Sequence, residues 1–244
     1  GLKLLSYLKR KYKVKTICSI GLSKMVLPMY KALNFNTGQL KQFILINDKC
    51  VSNNILSKGC WQPSIIKPNT DYSLVKLTLE QLRSIPDSIL EQVFVTQPEK
   101  NCEYIENRFF QHPIYRYDIY SVNFNREVKG ILVTRLIEKE GSKVLRIIDY
   151  QGDPTHLSHL NLQLTNLLEI HNCEYIDFMQ YGIADEVIIA SGFVNSNSID
   201  GLIVPDYFEP LVKKNIQLDF ARLGSTDAFF LCKGDSDQDR PSEL

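Results

Sequence analysis

The sequence has no net charge, because 28 basic residues balance 28 acidic ones. A neutral surface sets up no long-range field that would concentrate nucleic acid, so that partner is not expected from charge. There is no apolar run approaching the ~20 residues of a membrane-spanning helix. The opening leucines, Leu4, Leu5 and Leu8, are interleaved with lysines at helical spacing, which is no signal-peptide core. Cytoplasm is the expected compartment. The six cysteines (Cys18, Cys50, Cys60, Cys102, Cys173 and Cys232) include no C-x-x-C pair, and several sit in apolar runs such as 16–20. That pattern predicts buried free thiols rather than a disulfide framework or a zinc site. No nucleophile elbow, Walker loop or dinucleotide fingerprint is present. Asp235, Asp237 and Asp239 begin like a calcium loop, but the later glycine and bidentate glutamate are missing. His156 and His159 can share a helix face yet have no third ligand in sequence, so no metal is expected.

What is there is an ordinary globular composition, 44% hydrophobic over 244 residues, enough for one domain and part of another. Residues 1–10 read as an amphipathic helix, 13–20 as a strand, 24–33 as a helix capped by Ser23, and 42–47 as a second strand. Asn34 stands where a helix often ends in the left-handed conformation. The basic run 9–15 reads as the solvated end of the first helix, whose dipole favours cations. After an aperiodic stretch, 51–70, the pattern is fuller: a strand at 72–77, a capping box at Thr78 and Gln81, and a helix at 101–110. Three strands follow at 115–122, 128–138 and 143–150, joined by turns short enough for antiparallel hairpins. Asp153 and Pro154 predict a helix start, and Leu157, Leu160, Leu164, Leu167 and Leu168 form one stripe on a helix running to about His171. A strand at 174–179, reached through that helix, requires a parallel crossover. A short helix at 185–191 and strands near 216–220 and 228–232 close the series, with an acidic tail from 234 expected to be mobile.

A meander, a crossover helix, a parallel strand, a helix and a closing hairpin is the order of the GNAT acyltransferase superfamily, and the chain resembles that family. The implied fold class is α/β with a mixed sheet: a complete copy over 71–233, the C-terminal half of another over 1–50, a linker at 51–70 and an acidic tail at 234–244. Leu27-Pro28-Met29-Tyr30-Lys31-Ala32-Leu33-Asn34-Phe35 is similar to the family's tyrosine-bearing helix. Gly1 and Leu2 look like the end of its glycine-rich, coenzyme-binding loop, which implies an N-terminally truncated first copy. The 175–178 string and the 233–241 ending also resemble bacterial acyltransferases of surface-polysaccharide biosynthesis. In the second copy Tyr150-Gln151-Gly152-Asp153-Pro154-Thr155 stands where a glycine-rich loop belongs. Its single glycine and its carboxylate suit a pyrophosphate poorly, so this copy is expected not to bind coenzyme A in the usual way.

The resemblance implies an acyl-CoA-dependent N-acyltransferase, with acetyl-CoA or another acyl-CoA as co-substrate and a small amine as acceptor, a nucleotide-linked amino sugar on the narrower resemblance. Tyr30 is the candidate proton donor to the departing thiolate, the alternative being a tyrosine that packs its ring on the sheet. Asp149 and Asp177 end neighbouring parallel strands, where open α/β sheets bind ligands. Each can take a proton from the attacking ammonium, or serve as a structural carboxylate paired with an arginine such as Arg146. Tyr150, Tyr181, Asn195 and Glu209 lie in or beside loops and suit acceptor recognition. Two other classes stay open: a catalytically inactive ligand- or protein-binding module, and an aminoacyl-tRNA-dependent transferase.

Overall fold

The computed structural model describes residues 2–50, 54–57, 66–208, 211–224 and 228–236, with Leu2 described by its backbone alone. The chain opens with α1 (Leu2–Tyr12) and β1 (Thr16–Leu22). Leu4, Tyr7 and Tyr12 of α1 stand 60%, 50% and 61% exposed. Pro28 decides where the next helix begins. Without an N–H, and with a ring that clashes one turn back, it is tolerated only in a first turn. Accordingly α2 spans Leu27–Ala32 rather than 24–33, and Ser23, the expected cap, instead accepts the Val26 N–H in a preceding turn. Asn34 takes φ 62°, as its position predicts. An unanticipated strand, β2 (Asn36–Gln39), runs through Leu40 into β3 (Lys41–Ile46).

In β4 (Tyr72–Lys76) and α3 (Leu79–Arg83) the capping box holds, with Thr78 and Gln81 each bonding the other's backbone N–H. Next come α4 (Asp87–Val93), which the sequence reading omitted, and α5 (Cys102–Ile105), which continues as a wider turn to Phe110. Asn125, Arg126, Glu140 and Gly141 hold positive φ angles of 49°, 70°, 51° and 77°. Two left-handed residues in a row make the tight turn whose twist suits paired strands. They set β5 (Asp118–Phe124), β6 (Glu127–Lys139) and β7 (Ser142–Gly152) as an antiparallel meander. Asp153 caps a 3-10 turn, Pro154–His159, and not the long helix; α6 (Asn161–His171) starts after it, where the Asn161 amide donates to Ser191 O. All five leucines of the predicted stripe pack on the sheet. β8 (Tyr175–Tyr181) then runs parallel to β7, with Arg146 opposite Asp177. α7 (Asp185–Ala190), β9 (Val194–Asn195), β10 (Asp219–Gly224) and β11 (Leu231–Cys232) complete the order. The fold class is mixed α/β with a mixed sheet.

The strands do not stay with their own segments. An eight-stranded sheet runs β4-β5-β6-β7-β8-β3-β9, with β11 also on β8, so a strand from the opening fifty residues sits inside the larger sheet. In return β10 is the central strand of a three-stranded sheet, β1-β10-β2. The expected closing hairpin is therefore absent: β10 and β11 join different sheets. Leucines of α6 cover one face of the large sheet, together with Phe43, Leu145, Ile147, Ile176 and Phe178. The other face is covered at one end by α3 to α5, through Leu82, Val93, Ile105 and Phe109. At the other end it meets the small sheet, through Ile20, Leu40, Met179, Leu218, Phe220 and Leu231. Covered on both faces, β7 and β8 read as continuous apolar runs broken only by the residues described next.

Candidate functional site

β8 turns Tyr175, Asp177 and Met179 away from the α6 side, since Ile176 and Phe178 belong to the α6 core. Asp177 is wholly buried, and a bare carboxylate there would cost several kcal/mol. The β7–β8 register supplies its partner. Arg146 Nε lies 3.0 and 3.1 Å from the two carboxylate oxygens, and Nη2 lies 2.9 Å from Oδ2. Arg146 also donates to Asp206 O, and the Asp206 carboxylate receives the buried Lys233 ammonium. Burial opposes the Arg146 charge, but Asp177 and Asp206 outweigh it and hold the guanidinium protonated above its ordinary range. Lys233 goes the other way: burial and the neighbouring Arg146 lower it.

A second buried cluster lies further along β7. Lys100 Nζ sits 2.8 and 2.7 Å from the Asp149 oxygens and 2.9 Å from Asp235 Oδ1. Gln151 donates to Asp149 Oδ1 at 3.1 Å. Here two carboxylates share one ammonium, so the excess negative charge stays with Asp149 and Asp235. Burial pushes the Asp149 carboxyl up; Lys100 pulls it down, Asp235 adds to the rise, and it ends at about 6 against the ordinary 3.8. The folded value exceeds the unfolded one, so this group's contribution to stability is complete below about pH 4 and is lost as pH rises toward 6. Asp235→Asn removes the like charge and lowers Asp149. Urea unfolding between pH 4 and 7 is expected to show a flatter fall of stability in that variant than in the parent.

Residues 233–235 serve both clusters, with Lys233 on Asp206 and Asp235 on Lys100. Arg108 fixes the Gly234 and Ser236 carbonyls at 3.2 and 3.0 Å, and Gly234 lies so close that an added Cβ would be 3.0 Å from Ile148 O. The start of the tail, expected to be mobile, is thus packed, because two ion pairs and an arginine hold it; 237–244 lie outside the described residues. β11, just before it, pairs with Gln180 and Tyr181 at the carboxyl end of β8. The chain itself lines the region where β7 and β8 end. In the loop beyond β7, Asp153 takes the Thr155 N–H and hydroxyl, Asp153 O takes the His156 N–H, and Pro154 has none. The Thr155 and His156 amides are thus taken up within the loop rather than presented to an anion.

A cleft of about 350 Å³ opens at the seam where the chain crosses between the sheets. Leu40, Gln42 and Met179 come from that crossing and from β8; Ser196 and Asn197 follow β9; Lys24 precedes α2; and 214–217 precede β10. Gln42 forms the link to the ion network, its amide nitrogen lying 3.3 Å from Asp177 Oδ2.

The predicted site residues fall in separate places. Asp149 and Asp177 lie in the two ion clusters and not in the cleft. Tyr30 is half-buried on α2, edge-on to Phe35 at 5.1 Å, and does not line the cleft. Tyr150 is buried with its hydroxyl on Asp153 O at 2.9 Å, and burial pushes the phenol far up. Tyr181 packs on Phe220 across the seam at 4.4 Å. Asn195 caps the turn Ser196–Ser198, which puts it beside the cleft. Gly1 and Glu209, and the side chain of Leu2, lie outside the described residues. His156 bonds Tyr72 at 2.8 Å and His159 stacks on the same ring. Among the described residues no three metal-ligating side chains converge, and no helix is long and apolar enough to cross a membrane. The five described cysteines are free, with Cys173 and Cys232 buried. Sequence reasoning missed Lys100, Asp206, Lys233 and Gln42. Only Lys233 carried a signal, as a charge directly after the apolar run 228–232.

No known protein-family model matches the chain, and no curated protein matches it. Solved structures similar to it include a GCN5-related N-acetyltransferase from Anabaena variabilis, 7% identical with a TM-score of 0.49, over 90% of this chain and 48% of that one. Another, from Sphaerobacter thermophilus, is 8% identical with a TM-score of 0.43, over 91% and 68%. A third, from Kribbella flavida, is 7% identical with a TM-score of 0.42, over 91% and 74%. The chain spans about half the length of the first of these. The assignment of fold class rests on this chain's own strand order.

Proposed function

We propose that the chain is an acyltransferase of the N-acyl type, in which the seam cleft holds a small amine acceptor and the small-sheet segment, with α2, faces the acyl-CoA. The observation that supports it most is the cleft itself: a polar pocket at the seam of a GNAT-like sheet, beside the one predicted recognition residue, Asn195, that borders it. In this reading Tyr30 protonates the departing thiolate. Asp177 acts through Gln42 as a positioning residue. Asp149, with Lys100 and Asp235, holds the closing segment in place. A sugar nucleotide, or another amino sugar, is an acceptor of suitable chemistry.

Release of free thiol from acetyl-CoA across a panel of small amines, with products identified by mass, tests this reading. The expected result is amine-dependent release, with Tyr30→Phe lowering kcat about a hundredfold at little change in acceptor KM, the range of general acid catalysis. Absence of release with every amine contradicts it. The second reading, a ligand-binding module without catalysis, draws on the internally satisfied amides of 153–156.

A further inference from the structure

We propose that the seam cleft takes a small molecule bearing an anionic group, and that this molecule also donates a hydrogen bond, from an amine or hydroxyl, to Gln42. The inference rests on the cleft being the acceptor site and narrows what the acceptor is.

Three observations lead to it. First, Lys24 and Lys214 reach the cleft from separate segments, and no carboxylate lines it. Among the described residues neither lysine is in an ion pair, whereas the adjacent Lys213 pairs with Glu140. The carboxylate beneath the floor, Asp177, is neutralised by Arg146, and the excess negative charge of the buried clusters lies at Asp149 and Asp235. The charged groups that line the cleft are thus the two ammonium groups, an attraction for anions, while Asp219, two residues beyond the lining Gln217, does not line it and accepts from Gln39.

Second, the Gln42 amide has only one chemically possible orientation. An ionised carboxylate only accepts, so the NH2 must face Asp177 and the carbonyl oxygen is left over. Gln42 and Ser196 both line the cleft, and among the described residues the one side-chain contact of Gln42 is its amide nitrogen on Asp177. Neither the Gln42 carbonyl oxygen nor the Ser196 hydroxyl is among the fully enclosed unpartnered atoms of the described residues, so each is open to the cleft, where water or a ligand can satisfy it. The Gln42 oxygen can only accept, and its ligand atom must donate.

Third, about 350 Å³ suits a molecule of sugar-phosphate size, and Leu40, Met179 and Ile216 give it an apolar wall.

Methionine supplies the probe. The chain has three, Met25, Met29 and Met179, and of these only Met179 lines the cleft. With methyl-13C methionine in the whole chain, inorganic pyrophosphate, glucosamine 6-phosphate and glucosamine are titrated at constant ionic strength. The expected result is saturable movement of the Met179 signal by the two phosphate probes, with Met29 still and glucosamine weaker by roughly tenfold or more, as loss of a charge-assisted contact implies. Lys24→Gln with Lys214→Gln should weaken both phosphate probes by a similar factor without moving Tm. Gln42→Met should weaken glucosamine 6-phosphate more than pyrophosphate, which has no amine. The proposal is overturned if neither phosphate probe moves Met179, if glucosamine matches them, or if the double lysine variant binds as the parent does. Saturable binding without thiol release leaves this proposal standing and removes the transferase. Thiol release with neutral amines while Met179 stays still does the reverse.

Discussion

A chain that begins at residue 71 is expected not to fold. Residues 71–236 contain the meander, the crossover helix and β8, and by sequence they look like a complete unit. They lack β3, which pairs with six residues of β8, from Lys41 opposite Gln180 to Ile46 opposite Tyr175, and carries β9 on its far side. Phe43 and Ile44 are 0% exposed, and Leu45 and Ile46 only 7% and 6%. At roughly 1.5–3 kcal/mol for each such side chain, these four alone approach the 5–15 kcal/mol by which whole domains are stable. The shortened chain would also leave β8 with an open apolar edge, a template for aggregation. The exchange of β3 for β10 further means that neither sheet can open without losing an interior strand. The intact chain should unfold in one transition, with far-UV and near-UV circular dichroism coinciding. A soluble, cooperatively unfolding fragment from residue 71 would show that β3 is dispensable.

Arg146→Met should destabilise the intact chain by about 3–5 kcal/mol, the range for removing one partner of a buried pair. The cost comes less from the lost attraction than from what stays behind. Asp177 would keep only the 3.3 Å contact from Gln42, and Asp206 would keep only Lys233. Exchanging the ion pair whole, Arg146→Met with Asp177→Leu, should restore much of the loss, because apolar replacements of similar volume avoid the unpaired charge. Urea titration of the two variants and the parent checks this. A single variant within 1 kcal/mol of the parent would mean that water reaches Asp177 and that the network is not closed, an estimate set against the same range.

The hairpins, the capping box at Thr78 and the leucine stripe of α6 were legible because each is a local pattern: left-handed turns, a three-residue spacing, a helical period. The pairing of Asp177 with Arg146 was legible as an alternative, since a crossover brings β7 beside β8. Strand exchange was not, because the continuous apolar run 43–46 says that β3 is a strand and nothing of which sheet receives it. Nor were the partners of the carboxylates. Lys100 and Asp206 come from loops, and Lys233 from the segment that follows the last strand, far apart in sequence. The cleft draws its lining from five stretches of chain, so no spacing announces it.

Calorimetric titration of acetyl-CoA into this chain, and into Asp153→Ala and Thr155→Ala, tests the transferase reading most directly. The account predicts one binding event that both substitutions leave unchanged, because the loop beyond β7 has already spent its amides on Asp153. Binding that disappears with either substitution would place the coenzyme on the large sheet, and no binding by any of the three proteins would contradict the transferase itself.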